Sequence, residues 1–281
     1  MDIGISTGLF YTHKIWDLLP LIKKAGFDIV EVWNGGKEWG GTTHFDHHDH
    51  KQVKALQDAL WDQQIRGLTM HGPFGVNCDI SVPDDKARKK AIDEMNLAVE
   101  TAAKVGARIL ITHPGNILTN SQDGSEKNRR IETSIQSLKL ISETAKKNNV
   151  RLALENMLAG MVAGEAWQLE QIAGALDKDV VGVCVDVSHA SLCKELDKLL
   201  KTFAGRIIAV HISDNHGKMD DHLIPGEGML DFVKIARKLK EINYGGVFTL
   251  EVLGEAVKRK PEEVLKASKQ IALKIMKQAG V

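Results

Sequence analysis

The sequence predicts an α/β protein built as a single (β/α)8 TIM barrel over residues 1–281. Three observations predict it. Short apolar runs alternate with helix-like stretches from end to end, with no unit missing from the eight a barrel requires. A length of 281 residues exceeds the usual single domain but is ordinary for this architecture. Finally, strand-like runs three to eight each lead into a residue able to bind a metal or move a proton, and a barrel opens all its strand C-termini on one face. A doubly wound sheet would usually have fewer strands or a second domain.

Asp2 to Ser6 reads as the first strand, and His13 to Ala25 has helical spacing with Gly26 as its stop. Phe27 to Trp33 is the second strand, followed by the loop NGGKEWGGTTHFDHHDH and a helix from about Lys51 to Gln64. Gly67 to Met70 leads to His71, and Pro83 and Asp84 open a helix that runs to Val105 before Gly106. Arg108 to Thr112 leads to His113-Pro114-Gly115, and a helix from Ser125 to Lys147 follows. Val150 to Leu154 ends at Glu155-Asn156, with a helix from Gly164 to Leu176 behind it. Val180 to Val185 ends at Asp186, with His189 one turn on and a helix from Ser191 to Phe203. Ile207 to Val210, an apolar run suited to a strand buried on both faces, closes at His211. The polar loop after it holds Asp214, His216, Asp220, Asp221 and His222, and Pro225-Gly226-Glu227-Gly228 marks a turn before a helix from Leu230 to Ile242. Gly246 to Leu250 ends at Glu251, and the last helix runs from Pro261 to about Gln278.

Composition narrows the functional classes. Apolar residues make up 43% and charged residues 26%, which suits a globular chain with a large core. No apolar run is long enough to span a bilayer and no signal-like segment opens the chain, so a cytoplasmic protein without membrane contact is expected. Cys78, Cys184 and Cys193 are too few and too scattered for a disulfide framework, and Cys184, inside a strand, is expected to be buried. Lys+Arg and Asp+Glu balance at 37 each, so the global basic signature of many nucleic-acid binders is missing. The sequence leaves an oligomer open.

In a barrel, His71, His113, Glu155, Asp186, His189, His211 and Glu251 must surround a common centre. A carboxylate at the end of a buried strand costs several kcal/mol of desolvation unless it is paired or bound to a cation. A divalent metal is therefore favoured over a hydrogen-bonded polar cap. Glu155, Asp186, His211 and Glu251 form a set that suits Mn²⁺, Zn²⁺ or Co²⁺. His71, His113, His189, Asp220 and His222 are then left for further ions, substrate contacts or proton transfer.

HGPF, THPG, LENM, DVSHA, HISDN, DDHLIPGEG and TLEV, in this order and on these strands, resemble the xylose isomerase-like TIM-barrel superfamily. The likeness covers nearly the whole chain; single pieces are weak signals, but seven in register are a strong one. The superfamily joins sugar and sugar-phosphate isomerases and epimerases to endonuclease IV. In the isomerase and epimerase branch, the resemblance implies one metal held by Glu155, Asp186, His211 and Glu251. The two glutamates then act as the acid/base pair at the carbon beside a carbonyl, the metal stabilises the enediolate, and His189 contacts substrate. The sequence departs from the epimerase pattern in the loop after His211, where an expected Arg is absent and Gly217-Lys218 stand nearby; this argues against a ketose 3-epimerase specificity.

In the endonuclease IV branch, nine ligands hold three zinc ions for phosphodiester hydrolysis at abasic sites in DNA. His71, His113, Glu155, Asp186, His189, His211, Asp220, His222 and Glu251 all have the required ligand type. The expected cofactor is accordingly manganese or zinc, one to three ions. Against a DNA enzyme stand the neutral net charge and the nine arginines. The wording of DVSHASL, HISDN and PGEG also looks more like the isomerases and epimerases. The expected activity is therefore a metal-dependent isomerase or epimerase of a small sugar or sugar phosphate, with an endonuclease-type hydrolase, and nucleic acid as partner, as the alternative. A scaffold that has lost its chemistry is a third reading, opposed by the standing cost of unused buried carboxylates.

Trp33, on the second strand, and Trp39 beyond it are expected to face the site, and Phe74 and Lys37 stand where the endonuclease branch carries DNA-probing side chains. The cluster His44, His47, His48 and His50 is expected to be a solvated loop flanking Asp46 and Asp49, with adventitious metal binding as its other reading. Lys258-Arg259-Lys260 are expected on a solvated outer face.

Overall fold

The computed structural model describes residues 1–35, 44–120, 122–253 and 258–281. Eight parallel strands follow one another around a closed barrel: β1 (Asp2–Ser6), β2 (Ile29–Val32), β3 (Arg66–His71), β4 (Ile109–Thr112), β5 (Arg151–Glu155), β6 (Val181–Asp186), β7 (Ile207–Ile212) and β8 (Val247–Leu250). β1 closes the ring against β8, with Asp2 opposite Val247 and Ile5 opposite Leu250. The (β/α)8 expectation holds.

Around the barrel lie α1 (Ile15–Lys24), α2 (His50–Asp62), α3 (Asp85–Val105), α4 (Gly124–Lys147), α5 (Ala166–Gly174), α6 (Val187–Leu192), α7 (Leu196–Thr202), α8 (Phe232–Glu241) and α9 (Pro261–Ala279). Several start where a carboxylate accepts a free backbone N–H of the first turn: Asp49 from Lys51, Asp84 from Ala87, Asp123 from Ser125 and Asp231 from Lys234. The single helix expected over 191–203 is instead α6 and α7. Lys194 between them sits at φ 59°, a left-handed conformation that no helix continues through. Among the described residues no helix is long and apolar enough to cross a membrane. Trp39 and Lys37 lie outside the described residues.

Strand periodicity sorts the side chains into two layers. Leu110, Leu152, Leu154, Val183, Val185, Val210, Phe248 and Leu250 belong to the large apolar core that also takes in the helices. Ile111, Ala153, Cys184 and Ala209 form a separate small cluster. His113, Glu155, Asp186 and His211 stand two residues beyond those four, hence on the same face of each strand. An apolar layer of Ile111 and three small side chains thus gives way to imidazoles and carboxylates in the next, at the C-terminal mouth.

Candidate active site

All nine predicted residues gather at that mouth, in three groups whose ligand atoms lie within 4.8 Å of one another: His71, His113 and Glu155; His189, Asp220 and His222; and Glu155, Asp186, His211 and Glu251. Glu155 belongs to two of them. Its Oε2 lies 3.6 Å from His71 Nε2 and 3.2 Å from His113 Nε2, while Oε1 lies 3.1 Å from His211 Nδ1. One carboxylate therefore presents one oxygen to each group. His211 Nδ1 is also 3.0 Å from Glu251 Oε2 and 4.0 Å from Asp186 Oδ2. Asp220 Oδ2 stands between His189 Nε2 at 3.0 Å and His222 Nε2 at 2.8 Å.

Four of the imidazoles have one nitrogen engaged and the other aimed inward. His71 Nδ1 donates to the Gly72 carbonyl at 2.8 Å, and His189 Nδ1 to the Asn156 carbonyl at 2.9 Å. His222 Nδ1 donates to the Glu251 carbonyl at 3.2 Å, and His211 Nε2 to Glu31 Oε2 at 3.0 Å. Such bonds fix the tautomer and ring plane of a metal-binding histidine. The carboxylates fit a cation as well. Glu155 and Asp186 are 1% and 0% exposed, yet among the described residues Glu155 Oε2 and Asp186 Oδ2 have no hydrogen-bond partner. Buried oxygens in that state are costly unless a positive charge faces them.

Electrostatics reflect the crowding. Burial, joined by the charges of Asp220, Glu155 and Glu251, pushes Asp186 up to about 7, although His189 opposes them. Burial also acts to raise Glu155 and Asp220, but the neighbouring imidazoles outweigh it and hold both below the usual carboxylate range. Burial lowers His211 and His189, and the surrounding acids more than reverse it.

Sequence reasoning missed Glu31. It lies within the apolar strand β2, is 1% exposed, and accepts from Thr69 Oγ1 at 3.0 Å as well as from His211. The register between β2 and β3 shifts between Val30 and Glu31, the kind of bulge that re-aims a side chain. The signal available was a lone acid inside the buried run Ile29-Val30-Glu31-Val32.

Some loop residues have other work. Asp214 is fully buried and accepts the backbone N–H groups of Asn215, Gly226, Gly228 and Leu230 at 2.8–3.0 Å, so it organises the β7–α8 loop and faces no centre. A Cβ on Gly228 would lie 2.4 Å from Asp214 Oδ1, which is why glycine stands there. Asp221 Oδ2 accepts the His216 N–H at 2.9 Å on the exposed side of the loop.

Above the polar ring opens a cavity of about 490 Å³, lined by His71, His113, Glu155, His189, Asp220, His222 and Glu251, with Asp186 and His211 beneath. Trp33 and Phe74 line it too, their rings 6.0 Å apart, and Phe74 lies 5.1 Å from His71 and 5.0 Å from His113. Trp33 is wedged between glycines: a Cβ on Gly8 or Gly35 would lie 2.6 or 2.1 Å from its ring. Its backbone N–H donates to Thr7 Oγ1 at 2.9 Å, and that hydroxyl is 3.0 Å from His44 Nε2.

The order of these residues along the chain has a match among known families. The family model for the xylose isomerase-like TIM barrel covers residues 19–274. The chain belongs to this family. Within the xylose isomerase-like barrels it is 28% identical over 273 residues to the uncharacterized protein MJ1311 of Methanocaldococcus jannaschii, covering 95% of this chain and 88% of that one. It is 26% identical over 283 residues to L-ribulose-5-phosphate 3-epimerase UlaE of Escherichia coli, covering 99% and 96%. Among solved structures, a D-tagatose 3-epimerase-like protein superposes with a TM-score of 0.82 at 24% identity, over 100% of this chain and 98% of the other. A zinc-bound IolI protein superposes at 0.83 with 20% identity over 99% of each. At these identities the structural matches speak for the barrel alone.

The His44–His50 loop is solvated only in part: His48 and His50 are exposed, whereas two of its histidines turn inward. His44 and His47 are 0% and 2% exposed. Arg259 precedes α9 and is tied by two hydrogen bonds, 2.9 and 2.8 Å, to the Glu227 carboxylate.

Proposed function

We propose that the chain, working as one domain, is a metal-dependent isomerase or epimerase of a small sugar or sugar phosphate. The observation that carries this reading is the pairing of Glu155 and Glu251 about His211 Nδ1, at 3.1 and 3.0 Å, at the floor of a cavity of about 490 Å³. Two carboxylates on either side of one reacting carbon can remove a proton from one face and return it to the other. The similarity to L-ribulose-5-phosphate 3-epimerase supports the substrate class.

Glu155, Asp186, His211 and Glu251 would hold a divalent ion, manganese or zinc by ligand type. Such an ion supplies Lewis-acid polarisation of a carbonyl and its neighbouring hydroxyl. Glu251, 5% exposed and lining the cavity, takes the proton from the carbon beside the carbonyl. Glu155 serves the opposite face. His189, held between the Asn156 carbonyl and Asp220, contacts the substrate from the wall of the cavity, and Trp33 and Phe74 present apolar faces that exclude water. The proposal includes a cytoplasmic location.

One observation favours a second reading: the nine ligand-type residues divide into three groups with Glu155 shared, which fits the three-zinc set that the resemblance to endonuclease IV implies. Two measurements separate the readings. Protein loaded with manganese or zinc is incubated in D2O with L-ribulose 5-phosphate and related ketose phosphates, and with a duplex carrying an abasic site. Exchange of the substrate C–H without strand cleavage supports the isomerase. Cleavage with three ions per chain and no exchange overturns it.

A further inference from the structure

Asp46, His47 and His48 ahead of α2 and Glu94 on α3 form a second constellation, and none of the four lines the cavity. Asp46, His47 and His48 offer ligand atoms within 4.8 Å of one another. Glu94, in the middle of α3, reaches both imidazoles: Oε1 lies 3.0 Å from His47 Nε2 and Oε2 3.0 Å from His48 Nε2. The His47 and His48 rings lie 4.1 Å apart by their centroids.

His47 distinguishes this group from an ordinary surface ion pair. Its side chain is 3% exposed, yet Nε2 has no hydrogen-bond partner among the described residues. The contact with Glu94 is close but misaligned for a hydrogen bond. Two ligands of a tetrahedral zinc, each about 2.0–2.1 Å from the metal, lie about 3.3 Å apart and aim their lone pairs at a third point rather than at each other. His48 is oriented for the same task, because Asp46 Oδ1 accepts from its Nδ1 at 3.1 Å and from its backbone N–H at 3.0 Å. Asp46 thus stands where a metal-bound imidazole carries its outer carboxylate, and Nε2 is left on Glu94 Oε2 at 3.0 Å, the contact an ion would bridge.

We propose that His47 Nε2, His48 Nε2 and the Glu94 carboxylate form a structural zinc-class site, with Asp46 holding His48 in place. The ion joins the entry of α2 to the middle of α3. Its donor set of two imidazoles and a carboxylate suits zinc, cobalt or nickel and disfavours magnesium or calcium. With His48 half exposed, the fourth position opens to water. The site is independent of the chemistry assigned to the barrel mouth.

The test counts ions. Full-length protein, a His47→Gln/His48→Gln double variant and a Glu94→Gln variant are equilibrated with zinc alone, dialysed, and analysed for zinc per chain and melting temperature. The expected result is one zinc fewer per chain in both variants, a smaller zinc-induced rise in melting temperature, and unchanged turnover. Equal zinc in all three proteins overturns the site. Should the double variant fail to fold, the Glu94→Gln variant decides alone, since its side chain is a quarter exposed and its amide keeps the shape of the acid.

Discussion

Glu31 Oε2 and His211 Nε2 meet at 3.0 Å inside the barrel, joining β2 to β7 across 180 residues of sequence. The bond turns Nδ1 of His211 toward Glu155, Glu251 and Asp186, so an acid outside the predicted ligand set decides which nitrogen that set can use. Replacing Glu31 by Gln or Ala is expected to weaken metal affinity and turnover by about 10–100-fold while the far-UV circular dichroism is unchanged. Metal titration against the isolated protein checks it; wild-type affinity in both variants would remove Glu31 from the assembly.

Glu251→Gln keeps the shape of the side chain and removes its basicity. Turnover should fall by about 10²–10⁴-fold with the fold intact. The companion measurement is deuterium exchange into substrate, which should vanish together with turnover if Glu251 is the base.

Chelation should lower stability as well as activity. The carboxylates of Asp220, Glu155 and Glu251 all act against the charge on Asp186, a repulsion that a cation would relieve. An ion present at a hundredfold excess over its Kd adds about 3 kcal/mol. For a chain of this size that corresponds to a rise of roughly 5–10 °C in melting temperature on adding zinc or manganese to stripped protein. Scanning calorimetry of the stripped and reloaded protein provides the check.

His44 makes acid sensitivity a local property. Burial, the largest influence, drives its pKa down from 6.5 to about 4, against the bond to the His13 carbonyl, while the neighbouring His13 charge adds to the fall. The folded protein therefore keeps His44 neutral where the unfolded chain would charge it. Its contribution is present above pH 6.5 and is lost as pH falls from 6.5 toward 4, by at most about 3 kcal/mol. Urea midpoints at pH 7.5 and pH 5 should show a larger acid loss in the wild type than in His44→Gln. Equal losses would place the titration elsewhere.

Much of the fold was legible because a parallel strand covered on both faces must be a continuous apolar run, as in Leu152-Ala153-Leu154 or Val183-Cys184-Val185. The mouth was legible for a related reason: Glu155, Asp186, His211 and Glu251 break such runs at their ends, and the barrel closes those ends on one another. What escaped depends on tertiary detail. Glu31 sits mid-strand and reaches the centre through a register shift. Asp214 has the composition of a ligand but its four backbone donors come from a loop whose path no spacing reveals. The break at Lys194 is a single backbone angle in a stretch of good helix formers. His44 and His47 are polar by type and buried by packing.

The divided carboxylate of Glu155 has an evolutionary consequence. Because one oxygen serves His211 and the other serves His71 and His113, a descendant could lose those two imidazoles and keep the inner quartet untouched, or acquire them and gain a neighbouring charge. Under the proposed metal-dependent chemistry, the outer pair of imidazoles and the inner quartet are therefore separable by substitution at the rim, with the scaffold left as it is.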